Sequence, residues 1–179
     1  ASLGNGAVTV DLQPTPNTVR FQINGTPTTA HASNLAATWR HIAVTYDGGT
    51  AATAVLYLDG VALTSAPVTG AIAADGLSIG QGFRGRMGDV RVWSEARTTP
   101  AIASSKDHRL AGTETNLLGY WQLAEGTGQV LNNRARPDAD GTLGSSTAAE
   151  SSDPAWSTDG PTLRSYRPRA DCMRGPPPA

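Results

Sequence analysis

The chain has 179 residues and a formal net charge of -1, from 14 Lys and Arg against 15 Asp and Glu, a length that suits one domain or one domain with a tail. Charged residues make up 16% and aromatic residues 6%, beside 20 Gly and 12 Pro, which describes a turn-rich globular chain and excludes collagen-like or low-complexity material. The near-neutral balance argues against nucleic acid and against a polybasic membrane anchor, and no apolar run nears the roughly 18 residues of a membrane-spanning helix, so membrane insertion is not expected.

The sequence opens on Ala1 with no basic-then-apolar leader, and further sequence upstream is expected. Cys172 is the only cysteine, so an intramolecular disulfide is excluded and the fold must rest on its core. In chain order, the dominant pattern is period-two alternation in short runs broken by Gly, Pro, Asn and Asp, which predicts antiparallel strands and tight turns. Residues 7 to 12 and 18 to 23 flank Pro14-Thr15-Pro16-Asn17, and Asn24-Gly25 supplies a hairpin-type turn. Residues 39 to 46, 54 to 59 and 61 to 66 follow, joined at Asp47-Gly48-Gly49 and Asp59-Gly60. Residues 77 to 80 and 88 to 93 continue the alternation, which places Ile42, Val44, Leu56, Leu58, Val90 and Val92 in the core.

One short helix is expected near residues 100 to 110, with Thr99 as N-cap, Pro100 at the first helical position, Lys106, His108 and Arg109 near the negative end of the dipole and Gly112 closing it. Strand-like runs return at 117 to 123, 129 to 132 and 141 to 143, and residues 117 to 123 are expected to join the same sandwich. From Arg164 the composition becomes Arg- and Pro-rich, so 164–179 is assigned as a linker or docking tail and 1–163 as the domain.

The segments WRHIAVTYDG (39 to 48), VLYLDG (55 to 60) and LSIGQGFRGRMGDVRVWSEART (77 to 98), followed by LLGYWQLAEGTGQV and DGTL (117 to 130 and 140 to 143), stand in an order that resembles the laminin-G-like and pentraxin-like, concanavalin A-like jelly rolls. The resemblance implies an all-β, two-sheet antiparallel sandwich. It also implies opening strands, one with an aromatic-Asp-Gly stretch, for which residues 1 to 25 hold no counterpart; a neighbouring chain or an upstream segment is then expected to cover the open sheet edge, with the tail docked on that neighbour. Pentraxin relatives hold calcium through an acidic run after a segment like Ser78-Ile79-Gly80-Gln81, where this chain has Gly82-Phe83-Arg84, so those ligands do not carry over.

Catalytic constellations are sparse. A retaining glycosidase needs two carboxyl groups about 5 to 5.5 Å apart, and none of Glu95, Glu114, Glu125 and Glu150 alternates with another acid on a strand. There is no Gly-x-Ser-x-Gly elbow, and His31, His41 and His108 lack zinc spacing. Calcium is the one cofactor with candidate ligands, Asn133, Asp138 and Asp140 in the loop around Asp138-Ala139-Asp140-Gly141, where a plain Asx turn is the competing reading. Trp39, Trp93 and Trp121 sit in alternating strands and are assigned to the core, which leaves Trp156, after Asp153-Pro154, as the candidate ligand-binding aromatic.

The expectation is a non-catalytic recognition or adhesion module of a secreted or cell-surface protein, binding glycan or protein. The alternatives are a structural or decoration subunit of an extracellular assembly and, more remotely, a glycoside hydrolase.

Overall fold

The computed structural model describes residues 2–4, 8–13, 18–24, 26–31, 35, 38–48, 52–68, 78–81 and 83–165. They form twelve strands: β1 (Ser2–Gly4), β2 (Val8–Gln13), β3 (Thr18–Ile23), β4 (Thr26–His31), β5 (Ile42–Tyr46), β6 (Thr53–Leu58), β7 (Val61–Pro67), β8 (Ser78–Gln81), β9 (Val90–Trp93), β10 (Leu117–Trp121), β11 (Val130–Leu131) and β12 (Gly141–Thr142). One helix, α1 (Thr99–Ser105), and one 3-10 turn, Pro137–Ala139, complete the set.

The strands pair antiparallel throughout, in a five-stranded sheet of order β4-β3-β2-β1-β8, a three-stranded sheet β5-β6-β7, and the pairs β10-β9 and β11-β12. The architecture is the expected all-β sandwich with one short helix. Its core follows from strand geometry, because alternate positions of β3 (Val19, Phe21, Ile23) point to one face and meet Ala54 and Leu56 of β6 with Ala66 and Val68, all buried. Val10, Leu35, Ile42, Val44 and Tyr46 pack around this cluster. Pro27 removes a ladder donor from β4, which is tolerated because β4 is an edge strand.

The hairpin from β6 to β7 turns at Asp59 (φ 52°) and Gly60 (φ 83°) between the paired Leu58 and Val61. Two consecutive positive φ values are what a type I′ turn requires, and the Asp-Gly pair supplies them. Asp59 then binds back to the start of β5: Oδ2 takes Arg40 Nη1 at 2.7 Å and Oδ1 accepts from the His41 backbone N at 3.0 Å. A Cβ on Gly60 would lie 3.0 Å from the Ala103 backbone, so the same glycine lets α1 pack on the hairpin.

Several expectations shift on contact with the structure. Helix α1 is capped by Thr98 rather than Thr99: its side chain accepts from Ala101 N, and Pro100 sits one place later than expected. The helix ends at Ser105 with Lys106 as C-cap and has no basic residue in its last turn, so Gly112 does not close it. Trp39 lies outside β5 and is 36% exposed, where core burial was expected. Leu56 is fully buried as expected, whereas Ile42, Val44, Leu58, Val90 and Val92 are half-buried, and β9 pairs with β10. That pairing ties residues 117 to 121 to the preceding strands.

Arg164, the first residue assigned to the tail, pairs with its own domain. It bridges His108 in parallel fashion, with Arg109 N donating to Arg164 O and Arg164 N donating to Asp107 O. Residues 166–179, and with them Cys172 and the expected docking of the tail, lie outside the described residues. Among the described residues no helix is long and apolar enough to cross a membrane.

Candidate functional site: a polar groove beside β11 and β12

The chain from Gln122 to Asp140 leaves the β9–β10 pair, passes through β11 and returns over the 3-10 turn to β12. What holds it in place is hydrogen bonding around one tyrosine and one asparagine. Tyr120 of β10 is 0% exposed. Its hydroxyl donates to Asp89 Oδ2 at 2.9 Å and accepts from Leu110 N and Gln122 Nε2, each at 3.2 Å. Burial first, then the adjacent Asp89 charge, pushes the Tyr120 phenol above its ordinary pKa, so it stays a neutral donor.

Asn133 is 2% exposed and uses both ends of its side-chain amide. Its Oδ1 accepts from the backbone N–H groups of Tyr120 (3.0 Å), Ala135 (3.1 Å) and Arg136 (3.1 Å), and its Nδ2 donates to Ala139 O (3.2 Å). Its backbone N donates to Asp140 Oδ1 at 2.7 Å, while Arg134 N donates to Tyr120 O at 2.8 Å. One amide thereby satisfies backbone groups on both sides of the loop and fastens it to β10, which explains why a polar residue is buried here.

Between this anchored loop and the 122–130 segment lies an open groove of about 830 Å³, a size ordinary for small-ligand sites. Its lining is mixed, with the polar side chains of Gln122, Glu125, Thr127, Asn132, Arg134 and Asp140 beside apolar surface that includes Val130, Ala124 and Pro137. Glu125 Oε1 accepts from both the backbone N (2.9 Å) and Nδ2 (3.2 Å) of Asn132. Gln122 is held by Arg109, whose Nη1 donates to its Oε1 at 3.0 Å.

Of the site candidates, Asn133 and Asp140 line the groove. Asn133 forms the groove's anchor and Asp140 its edge, and the half-buried Trp156 donates from Nε1 to the carbonyl of Gly128, a lining residue, at 3.0 Å. Asp138 stands apart, exposed and paired with Arg136 Nη2 at 3.1 Å, which holds its carboxyl below the usual range. The calcium ligands proposed for this loop do not fit an ion that needs about six to eight oxygens. Asn133 Oδ1 serves three N–H groups, Asp140 Oδ1 serves a fourth and Asp138 faces a guanidinium. Among the described residues no three His, Cys, Asp or Glu side chains are grouped to hold a metal. Asn132 was read only as part of the calcium-candidate loop, and Glu125, Val130 and Arg134 were not singled out as ligand contacts.

Against known proteins, a laminin G family model described as the concanavalin A-like lectin/glucanases superfamily matches residues 2–103, more than half of the chain. The chain belongs to this superfamily. The match ends within α1, so the groove lies C-terminal to the residues it covers. A crystal structure of a "putative carbohydrate binding protein" from Bacteroides ovatus ATCC 8483 superposes with a TM-score of 0.64 at 22% identity, covering 78% of this concanavalin A-like chain. The chain spans 46% of that protein's length. No curated protein matches it.

Proposed function

We propose that the domain is a non-catalytic carbohydrate-recognition module that works outside the cell or on its surface. The observation that carries this reading is the groove: a wall pre-set by Asn133, itself tied to Tyr120, hydrogen-bonding side chains along its edges, Val130 for the apolar face of a sugar ring, and Trp156 pinned beside it on Gly128. The superfamily and the name of the Bacteroides ovatus neighbour support it by analogy. The glutamates support recognition over hydrolysis, because each serves a loop. Glu95 binds Arg97 and Asn116, Glu114 accepts from Ala111 N and Gly112 N, Glu125 holds Asn132, and Glu150 accepts from Ser145 and Ser146. Screening the purified chain on a glycan array with calcium and with a chelator tests the proposal. Binding that survives the chelator supports it, and no glycan signal under either condition contradicts it.

A second reading, a subunit of a larger assembly, is favoured by β7, where Val61 is 64% exposed and Leu63 also faces solvent on the edge of its sheet. Sedimentation at two concentrations decides it, since a concentration-independent monomer removes this reading.

A further inference from the structure

We infer that the groove selects neutral sugars over acidic ones, an inference that rests on the carbohydrate reading above and concerns the ligand's charge. The argument separates the lining groups that the loop has already used from those it leaves over. Gln122 is held at both ends of its amide, as is Asn133, and Glu125 Oε1 and Asp140 Oδ1 each accept from the loop backbone. These groups form the rigid wall.

Left over among the described residues are Asn132 Oδ1, the Thr127 hydroxyl, the second oxygen of Asp140, and the Arg134 guanidinium. Glu125 Oε2 is buried and has no donor, so it is not offered to a ligand, and Glu125 contributes to the groove through its charge. The remaining groups are mainly acceptors, with two carboxylates against one guanidinium. A sugar hydroxyl both donates and accepts, so a neutral polyol can answer an acceptor-rich edge with its O–H groups and still take hydrogen bonds from Arg134 and Thr127. A uronate or sulfate would set its charge beside Glu125 and Asp140 with only Arg134 to offset it. Val130, 49% exposed at the groove, offers apolar surface to the C–H face of an uncharged ring.

Calorimetric titration tests the inference, using neutral oligosaccharides from glucan, xylan and mannan beside oligogalacturonate and sulfated oligosaccharides. The neutral set is expected to bind at least about tenfold tighter than the acidic set. Asp140→Asn keeps an oxygen for Asn133 N while removing a charge, and is expected to narrow that preference. Val130→Ser and Arg134→Ala change side chains without a hydrogen bond in the loop, so they should melt as wild type does while binding neutral sugars at least about fivefold more weakly. Equal or tighter binding of the acidic sugars overturns the charge inference and leaves the carbohydrate reading standing. Sugar binding that Val130→Ser and Arg134→Ala leave untouched overturns the groove as the site. Absence of binding to either class removes the carbohydrate reading itself, and this inference with it.

Discussion

In the cluster built from Val19, Phe21, Ile23, Ala54, Leu56, Ala66 and Val68, all buried members are apolar and come mainly from alternate positions of paired strands. The cluster of Leu110, Leu117 and Tyr120, with Trp93 and Ala135 against it, is small, and polar groups tie it down. Tyr120 reaches Asp89, Leu110 and Gln122, and Asp89 also pairs with Arg91, both side chains being nearly buried. Arg91 in turn donates to Ser105 O at 2.9 Å and to His108 O, stapling the end of α1 to β9. The first region is stabilised by area removed from water, which is non-directional and tolerant of exchange among apolar residues. The second depends on directional bonds, where loss of one partner strands another, and that rigidity is what a recognition groove needs beneath it.

The largest effect is expected in the first region: Phe21→Ala should destabilise the domain by about 3–5 kcal/mol in chemical denaturation, through lost burial and a residual cavity. Asn133→Ala leaves three backbone N–H groups without their acceptor and should cost about 2–4 kcal/mol. It should also sharpen the contrast, because hydrogen exchange is expected to accelerate at Tyr120, Ala135 and Arg136 while β3 and β6 stay protected. Equal acceleration in both regions would mean that the two clusters open as one unit. Tyr120→Phe keeps the ring but strands Asp89 Oδ2 and two donors, for an expected loss of about 1–3 kcal/mol, whereas a purely apolar cluster would hardly register the change.

The pattern of alternation made β2, β3, β5, β6, β7, β9 and β10 legible, because a half-buried strand must repeat every two residues. Asn24-Gly25 and Asp59-Gly60 marked their hairpins for the same local reason. β4 was missed: Thr26–His31 carries no apolar alternation and owes its place to pairing with β3. The helix cap moved by one residue because Thr98 and Thr99 are equally good caps by type, and only geometry decides which oxygen reaches Ala101 N. At the site, Asn133, Asp140 and Trp156 were visible as loop residues with suitable chemistry. Their proximity was not, since it depends on bonds such as Trp156 Nε1 to Gly128 O, 28 residues apart. Trp39 was assigned inward because its neighbours alternate, but β5 starts only at Ile42.

The smallest effect is a pH dependence that lies between the two regions. Burial first, then the positive charges of Arg91 and Lys106, lower the pKa of His41 from its ordinary 6.5, with Asp59 and Asp89 opposing more weakly. The folded state therefore keeps His41 neutral while the unfolded chain takes up a proton. Its contribution is complete above pH 6.5 and is lost as the pH falls from there through the lower folded value. Thermal melts should show stability declining from about pH 7 to pH 5, a decline that His41→Gln flattens.

The most direct measurement of the central claim is a two-dimensional amide and indole NMR titration of the folded chain with a neutral oligosaccharide. The account predicts shifts confined to Glu125, Thr127, Val130, Asn132, Arg134 and the Trp156 indole N–H, with the β3 and β6 amides unmoved. Saturable shifts centred instead on Trp39 or on Val61 and Leu63 of β7, with the groove silent, would contradict it.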